Sequence, residues 1–181
     1  MRTKWSLSVL VLLLTFAGVA TAAEETAFDA QAAFDRLTEL AGTWTGTAAG
    51  EGKAAEESEG QDMNVTHRFQ VSANGTVVME TMNPGTEHEM INMYHLDGDD
   101  LMLTHYCAGG NQPRMRIVAA ESSPDHLVFD FDGGTNLDPA VDGHIHAARI
   151  QLKSDEIHSA WISYYNGEQG GKMTFYLTRA E

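Results

Sequence analysis

The sequence after residue 42 is a series of short strand-like segments, each ending at residues that favour turns. Asn74-Gly75 and Asp97-Gly98 are the strongest turn signals, because these residue types tolerate the positive φ of tight hairpins. No later segment reads as a helix long enough to cross between parallel strands, which excludes a doubly wound α/β fold. The pattern predicts an all-β chain with about ten strands in an up-and-down antiparallel arrangement.

A sheet with about ten strands either closes into a barrel or splits into two packed layers. We expect a closed barrel, because closure leaves no exposed strand edges. The predicted strands span residues 43–47, 64–71, 76–82, 88–96, 101–107, 113–119, 126–131, 144–152, 157–165 and 172–179. One N-terminal helix is predicted at residues 28–40, where Phe34 and Leu37 have helical spacing and Gly42 ends the pattern. The segment 50–60, rich in glycine and glutamate, is predicted to be a loop.

The first 22 residues have the three parts of a secretory signal peptide. Arg2 and Lys4 form a positive region, an apolar run covers residues 7–19, and Ala20-Thr21-Ala22 is a small-x-small cleavage site. The apolar run is too short to span a bilayer comfortably. We therefore expect residues 1–22 to be removed and residues 23–181 to form a single exported domain, either periplasmic or secreted.

Composition restricts the partners of this domain. The chain has 11 Lys+Arg against 26 Asp+Glu, a formal net charge of −15. Nucleic acids and anionic membrane surfaces require a basic footprint, so neither is an expected partner. The single cysteine, Cys107, cannot form an intramolecular disulfide. We expect a monomer that binds a small molecule, without membrane insertion of the mature chain.

The helix followed by Gly42-Thr43-Trp44 resembles the Gly-x-Trp motif that begins the first barrel strand of lipocalins and related calycins. In that superfamily the tryptophan packs against an arginine late in the last strand, a position that Arg179 occupies here. The chain is most similar to ten-stranded bacterial calycin-like families, including those related to fatty-acid-binding proteins and nitrobindin. It lacks the paired cysteines and C-terminal helix of typical secreted lipocalins. It also lacks the fuller glycine-rich motif of nitrobindins, so the resemblance alone does not imply a haem.

Strand alternation predicts which side chains face the barrel interior. The Asp97-Gly98 hairpin places two sets of residues on one face: His88, Met90, Asn92 and Tyr94, and Leu101, Leu103, His105 and Cys107. The other face carries Glu87 and Glu89, and unpaired carboxylates are costly to bury. Alternation in residues 144–152 directs Arg149 outward and both His144 and His146 inward. Four histidines and Cys107 are therefore predicted to share the interior.

Three interpretations of this predicted cluster remain open. Imidazole and thiolate groups are ligands for zinc, copper or iron, so the cluster could hold a transition metal or a haem. The residues predicted as metal ligands are His105, Cys107, His144 and His146. Alternatively, they are hydrogen-bonded side chains of a polar ligand pocket, or histidines without a shared role.

Two loops at the same end of the predicted barrel carry further polar side chains. Asn111, Gln112 and Arg114 follow the strand that ends at Cys107, and Asp132 begins the loop after residue 131. Arg114 could bind a carboxylate in a bidentate fashion, or it could face outward and pair with an acidic residue.

These observations predict an exported binding protein that holds a small, partly apolar ligand in a barrel cavity. The predicted ligand-binding residues are His88, Asn92, Tyr94, His105, Asn111, Gln112, Arg114, Asp132, His144 and His146. The predicted apolar wall consists of Met90, Leu103, Phe129 and Trp161. The alternatives are a metal- or haem-binding enzyme or carrier, and an envelope interaction module with a packed barrel. No sequence motif identifies a catalytic residue, and we expect a binding protein rather than an enzyme.

Overall fold

The computed structural model describes residues 27–61 and 63–181. The predicted signal peptide at residues 1–22 lies outside the described residues. Among the described residues, no helix is both long and apolar enough to cross a membrane.

Ten antiparallel strands form a closed barrel in which every strand pairs with its neighbours in sequence and β1 pairs with β10. The strands are β1 (Gly42–Gly52), β2 (Asn64–Ser72), β3 (Val77–Met82), β4 (Met90–Asp97), β5 (Asp100–Tyr106), β6 (Gln112–Ile117), β7 (His126–Thr135), β8 (His144–Leu152), β9 (Glu156–Tyr165) and β10 (Glu168–Arg179). The prediction of an all-β, ten-stranded up-and-down barrel is confirmed.

Helix α1 (Ala30–Thr38) packs on one end of the barrel against β4 and β5. Asp29 caps the helix by accepting a hydrogen bond from the backbone N–H of Ala32 at 2.9 Å. Its buried residues are Ala30, Ala33, Phe34 and Leu37. These side chains join the hydrophobic core, so the barrel is filled at this end.

Side chains at the start of β1 and the end of β10 bind the segment that follows α1. Trp44 is fully buried, and its indole N–H donates to the Leu40 carbonyl at 2.8 Å. The Arg179 guanidinium lies 4.5 Å from the centre of the Trp44 ring and donates to the carbonyls of Glu39 and Ala41 at 3.0 Å each. These contacts match the tryptophan–arginine packing that the calycin resemblance implies.

A second, short helix, α2 (Lys53–Glu57), lies where the sequence predicts a loop. The turn into α2 uses Gly52 in the left-handed region at φ 62°. Gly50 and Gly171 allow α2 to lie directly against β1 and β10, since a Cβ on Gly171 would come within 2.6 Å of the Ala54 nitrogen. The helix depends on this packing between distant segments, which the local sequence pattern does not indicate.

Helix α2 and the connections 83–89, 107–111, 136–143 and 166–167 lie at the end of the barrel opposite α1, which we call the open end. The register shifts lie towards the same end: in the β6–β7 pairing between Pro113 and Met115, in β8 between Ile145 and Ala147, and in β10 between Gln169 and Gly171.

Strand β4 begins at Met90 rather than at residue 88, so His88 belongs to a connection. The alternation used for His88 in the sequence therefore does not apply.

Candidate ligand-binding site

The half of the barrel towards the open end contains a cavity of about 580 Å³. Its apolar wall includes Val65, Met82, Met90, Trp161, Met173 and Phe175. Its polar wall includes His88, His105, Cys107 and Ser163. Ligand pockets for small molecules commonly occupy about 300–1,000 Å³, so this cavity is large enough for one such molecule.

Helix α2 borders the cavity at the open end, where Ala54 and Glu57 are lining residues. The Tyr165 hydroxyl donates to the Glu57 carboxylate at 3.2 Å, and the Lys53 ammonium lies 3.7 Å from the centre of the Tyr165 ring. Partial burial and the nearby Glu57 carboxylate raise the pKa of Tyr165, which keeps its hydroxyl protonated as a donor. These contacts hold α2 over the cavity.

A chain of buried polar side chains crosses the inner face of β2, β3, β4 and β5. The His67 Nδ1 lies 2.7 Å from Glu80 Oε1, and the Asn92 amide donates to Glu80 Oε2 at 2.8 Å. The Tyr94 hydroxyl also donates to Glu80 Oε2 at 2.7 Å. The His105 Nδ1 lies 2.7 Å from Asn92 Oδ1. All five residues are at most 3% exposed, so they form one water-excluded network.

The register of the sheet builds this network. Glu80 on β3 lies directly opposite Asn92 on β4, and Asn92 lies directly opposite His105 on β5. Directly opposed residues of antiparallel strands point to the same face and lie close enough to bond. His67 and Glu80 were missed in the sequence, although Glu80 alternates with the apolar Val78 and Met82 along β3. A carboxylate on an otherwise apolar strand face is the signal that could have identified it.

Glu80 is ionised within this network. Burial alone would raise the pKa of Glu80, but hydrogen bonds from His67, Tyr94 and Asn92 and the charge interaction with His67 outweigh burial and lower it. Burial and the Glu80 carboxylate raise the pKa of Tyr94 well above its ordinary value, so its hydroxyl keeps the proton that it donates. The carboxylate accepts three side-chain hydrogen bonds, which compensate for its removal from water.

The ionised Glu80 determines the proton positions further along the chain. A carboxylate can only accept, so the Asn92 group facing Glu80 is the NH₂ donor, and Asn92 Oδ1 must face His105. Because Asn92 Oδ1 is an acceptor, His105 Nδ1 carries the proton. Burial lowers the pKa of His105 to about 4, against a smaller opposing effect of Glu80, so the ring is neutral at pH 7. His105 Nε2 is therefore an unprotonated acceptor, and it has no hydrogen-bond partner.

The structure places the predicted ligand-binding residues in different surroundings. Two of them, His88 and His105, line the cavity, as does Cys107, which was predicted only as a metal ligand. Asn92 and Tyr94 belong to the buried network behind the cavity wall. Of the predicted apolar wall, Met90 and Trp161 line the cavity, whereas Leu103 and Phe129 are fully buried in the core.

The loop residues bond to one another and do not line the cavity. Arg114 Nε lies 3.3 Å from a carboxylate oxygen of Asp132, so Arg114 pairs with an acidic residue. Gln112 accepts hydrogen bonds from Thr135 and Asn136. The Asn111 amide donates to the Gly143 carbonyl at 2.8 Å and joins two loops of the open end. These side chains hold the loops around the cavity in place.

The inward orientation predicted for His144 and His146 is wrong. The register shift between Ile145 and Ala147 breaks the alternation of β8, so that Ile145, not His144, lines the cavity opposite Ser163. His144 pairs with Tyr164 on the other face, and the His146 ring stacks on Tyr164 at 3.8 Å. His144 Nε2 and His146 Nδ1 are 3.1 Å apart. His105 and His144 therefore point to opposite faces of the sheet.

This separation divides the predicted metal ligands. His105 and Cys107 line the cavity, whereas His144 and His146 lie outside it. Across residues 27–61 and 63–181, no group of three or more histidine, cysteine, aspartate or glutamate side chains is arranged to hold a metal ion. Glu80 is linked to His105 through Asn92, but its carboxylate already accepts hydrogen bonds from three side chains.

Comparison with known proteins adds information on the fold. No family model matches the chain, and no curated protein matches it. Among solved structures, the chain is similar to the crystal structure of Rv2717c from M. tuberculosis, with a TM-score of 0.55 and 14% sequence identity. The match covers 82% of this chain and 98% of that chain. At this identity the similarity shows a shared barrel fold.

Proposed function

We propose that this protein is an exported, monomeric binding protein of the lipocalin-like type, which holds one small, mainly apolar molecule in its barrel. The cavity of about 580 Å³ carries this proposal, because it combines a large apolar wall with a few oriented polar groups. A barrel whose interior was filled by side chains, as in the packed-module alternative, would leave no such space.

The metal-dependent alternative has less support. Zinc sites generally use at least three protein ligands, and only two of the four predicted ligands, His105 and Cys107, face the cavity. The structure also brings no nucleophile into a described hydrogen bond with His105, whose Nδ1 contacts Asn92. Binding of a small molecule is therefore the function that we propose for this cavity.

A pair of neighbouring substitutions tests the proposal. Ala48 lines the cavity opposite Phe175, whereas Ala49, the next residue of β1, is exposed. Ala48→Phe would fill part of the cavity, and we expect it to weaken binding of the apolar dye Nile red by about tenfold or more. Ala49→Phe is the matched control and should bind like the wild type.

Fluorescence titration of the mature protein measures both affinities, and native mass spectrometry of protein purified from the periplasm identifies any molecule retained in the cavity. If the wild type fails to bind the dye, or if both variants bind it equally well, the cavity is not a ligand site.

A further inference from the structure

The buried end of the cavity contains an acceptor without a donor. His105 lines the cavity, and its Nε2 atom is buried without a hydrogen-bond partner. Leaving a buried polar atom unsatisfied lowers stability, because the atom loses its hydration and gains no hydrogen bond. A ligand group that donates a hydrogen bond to this atom would recover that free energy, so the site selects for such a group.

The hydrogen bonds of Asn92 fix the tautomer of His105, so the site favours a hydrogen-bond donor over an acceptor. Glu80 orients Asn92, and Asn92 Oδ1 accepts a hydrogen bond from the Nδ1–H group of His105, so Nε2 carries the lone pair of the neutral ring. The neutral ring would have to break its bond to Asn92 Oδ1 to present an N–H from Nε2 instead. An acceptor group on a ligand, such as a carbonyl or an ether oxygen, gains no hydrogen bond here.

The remaining cavity wall does not favour an anion. Among the described residues, the side chains that line the cavity include no lysine or arginine, and Glu57 adds a negative charge at the open end. Arg114, the predicted anion-binding residue, pairs with Asp132 outside the cavity. A carboxylate ligand would therefore lose its hydration without gaining a cationic partner.

Met82 is a cavity-lining side chain next to the buried network. It lines the cavity, and its sulfur accepts a hydrogen bond from the Asn92 amide at 3.3 Å, which places it beside the buried network. Methionine has three rotatable bonds and adapts its shape at low cost. Met82 therefore supplies an adaptable part of the cavity wall next to the network.

We infer that the cavity takes a neutral, mainly apolar molecule whose inner end carries an O–H or N–H group, and that this group donates a hydrogen bond to His105 Nε2. This inference rests on the proposed binding function and specifies the class of its ligand. Asn92 and Glu80 act as positioning residues, because they hold the acceptor lone pair in place.

Two isomeric probes test the inference. 1-Decanol has a hydroxyl donor, whereas 1-methoxynonane has the same atoms, a similar length and no donor. We expect the wild type to bind decanol about tenfold more tightly than the ether, with decanoate the weakest of the three at pH 8. Displacement of Nile red from the mature protein measures all three affinities.

Substitutions test whether the preference for decanol over the ether arises from His105 Nε2. His105→Phe retains an aromatic ring beside Trp161 but removes the acceptor, so the decanol-to-ether ratio should fall to about one. His95→Phe, on the other face of β4, is the matched control and should retain the wild-type ratio. In ¹⁵N-labelled wild-type protein, the His105 Nε2 resonance should move on addition of decanol and not on addition of the ether, a measurement that requires no variant.

The outcomes separate the two proposals. Equal affinities for decanol and its ether in the wild type would overturn the inference and leave the binding function intact. Haemin binding that depends on His105 would also overturn it, because the lone pair would then serve a metal ion. Failure of the wild type to bind Nile red or any of the probes would overturn the binding function itself.

Discussion

Glu80 shows how one residue can determine the chemistry of a distant surface. It accepts hydrogen bonds from three side chains and is ionised although it is buried. Its charge orients the Asn92 amide, and the amide in turn places the proton of His105 on Nδ1. Glu80 does not line the cavity, yet through Asn92 it leaves Nε2 of the cavity-lining His105 as an acceptor.

The buried His105 predicts a pH dependence of stability. Its pKa falls from the ordinary value of 6.5 to about 4 on folding. Between these values the unfolded chain binds a proton that the native state does not bind, so the free energy of unfolding falls as the pH falls. We expect His105 to account for a loss of about 3 kcal/mol between pH 6.5 and pH 4.

Urea unfolding across this pH range measures the effect. His105→Phe removes the titrating group and should show a smaller decrease, whereas the His95→Phe control should retain the wild-type slope. Glu80 acts in the same direction at lower pH, since its lowered pKa stabilises the native state above the pKa of the unfolded carboxyl and this contribution is lost on acidification. Identical slopes for both variants would contradict the assignment to His105.

Two elements explain the main differences between the sequence prediction and the structure. The register shift in β8 turns His144 and His146 away from the cavity and brings Ile145 into its wall. Helix α2 replaces a predicted loop and borders the cavity at the open end. Both depend on pairing or packing with residues far along the chain, and neither has a local sequence signature.

Gly171 predicts how α2 can be displaced. A Cβ at this position would lie 2.6 Å from the Ala54 nitrogen and 3.1 Å from the Ala54 Cβ. Gly171→Ala should therefore push α2 away from β10, destabilise the protein by about 1–3 kcal/mol and accelerate amide hydrogen exchange in residues 53–57. Gly109→Ala is the control, because a Cβ there would make an ordinary 3.5 Å contact with the Cys107 sulfur. Unchanged exchange in α2 would show that the contact is relieved in another way.

At the scale of the whole molecule, the two halves of the barrel are packed differently. One half is filled by α1 and the hydrophobic core, and the other contains the cavity. The buried polar network lies between them, since its members face the core on one side and His105 faces the cavity on the other. Among the described residues, Glu80 is the only buried acidic residue, so the other carboxylates are partly or fully exposed to solvent.

Export is the prediction that belongs to the whole chain. When the full-length protein is expressed in a Gram-negative bacterium, we expect a periplasmic product that begins at Ala23. Mass spectrometry of the periplasmic fraction measures the first residue directly. Leu13→Arg interrupts the apolar run of the signal peptide and should leave the uncleaved protein in the cytoplasm. An uncleaved, cytoplasmic wild-type protein would contradict the proposed location.

The site was predictable only in part. The Asp97-Gly98 hairpin specifies the register of β4 and β5, so Asn92, Tyr94, His105 and the cavity-lining Met90 could be assigned to the inner face. No comparable local signal specified the register of β8, and the assignment of His144 failed there. Arg114 was compatible with either an anion site or an acidic partner, and only the structure shows its pairing with Asp132.

The sequence by itself determined the all-β class, the number of strands and their meandering order, because turn chemistry and strand alternation are local properties of the chain. The resemblance to calycins also implied the contact between Trp44 and Arg179, which lie directly opposite each other in β1 and β10. Only the tertiary structure decided which polar side chains meet. Glu80, Asn92 and His105 come together through strand pairing across the sheet, while the β8 register shift removes His144 from the same interior. A register shift of one residue changes the face of a side chain, and that shift depends on the packing of the whole barrel.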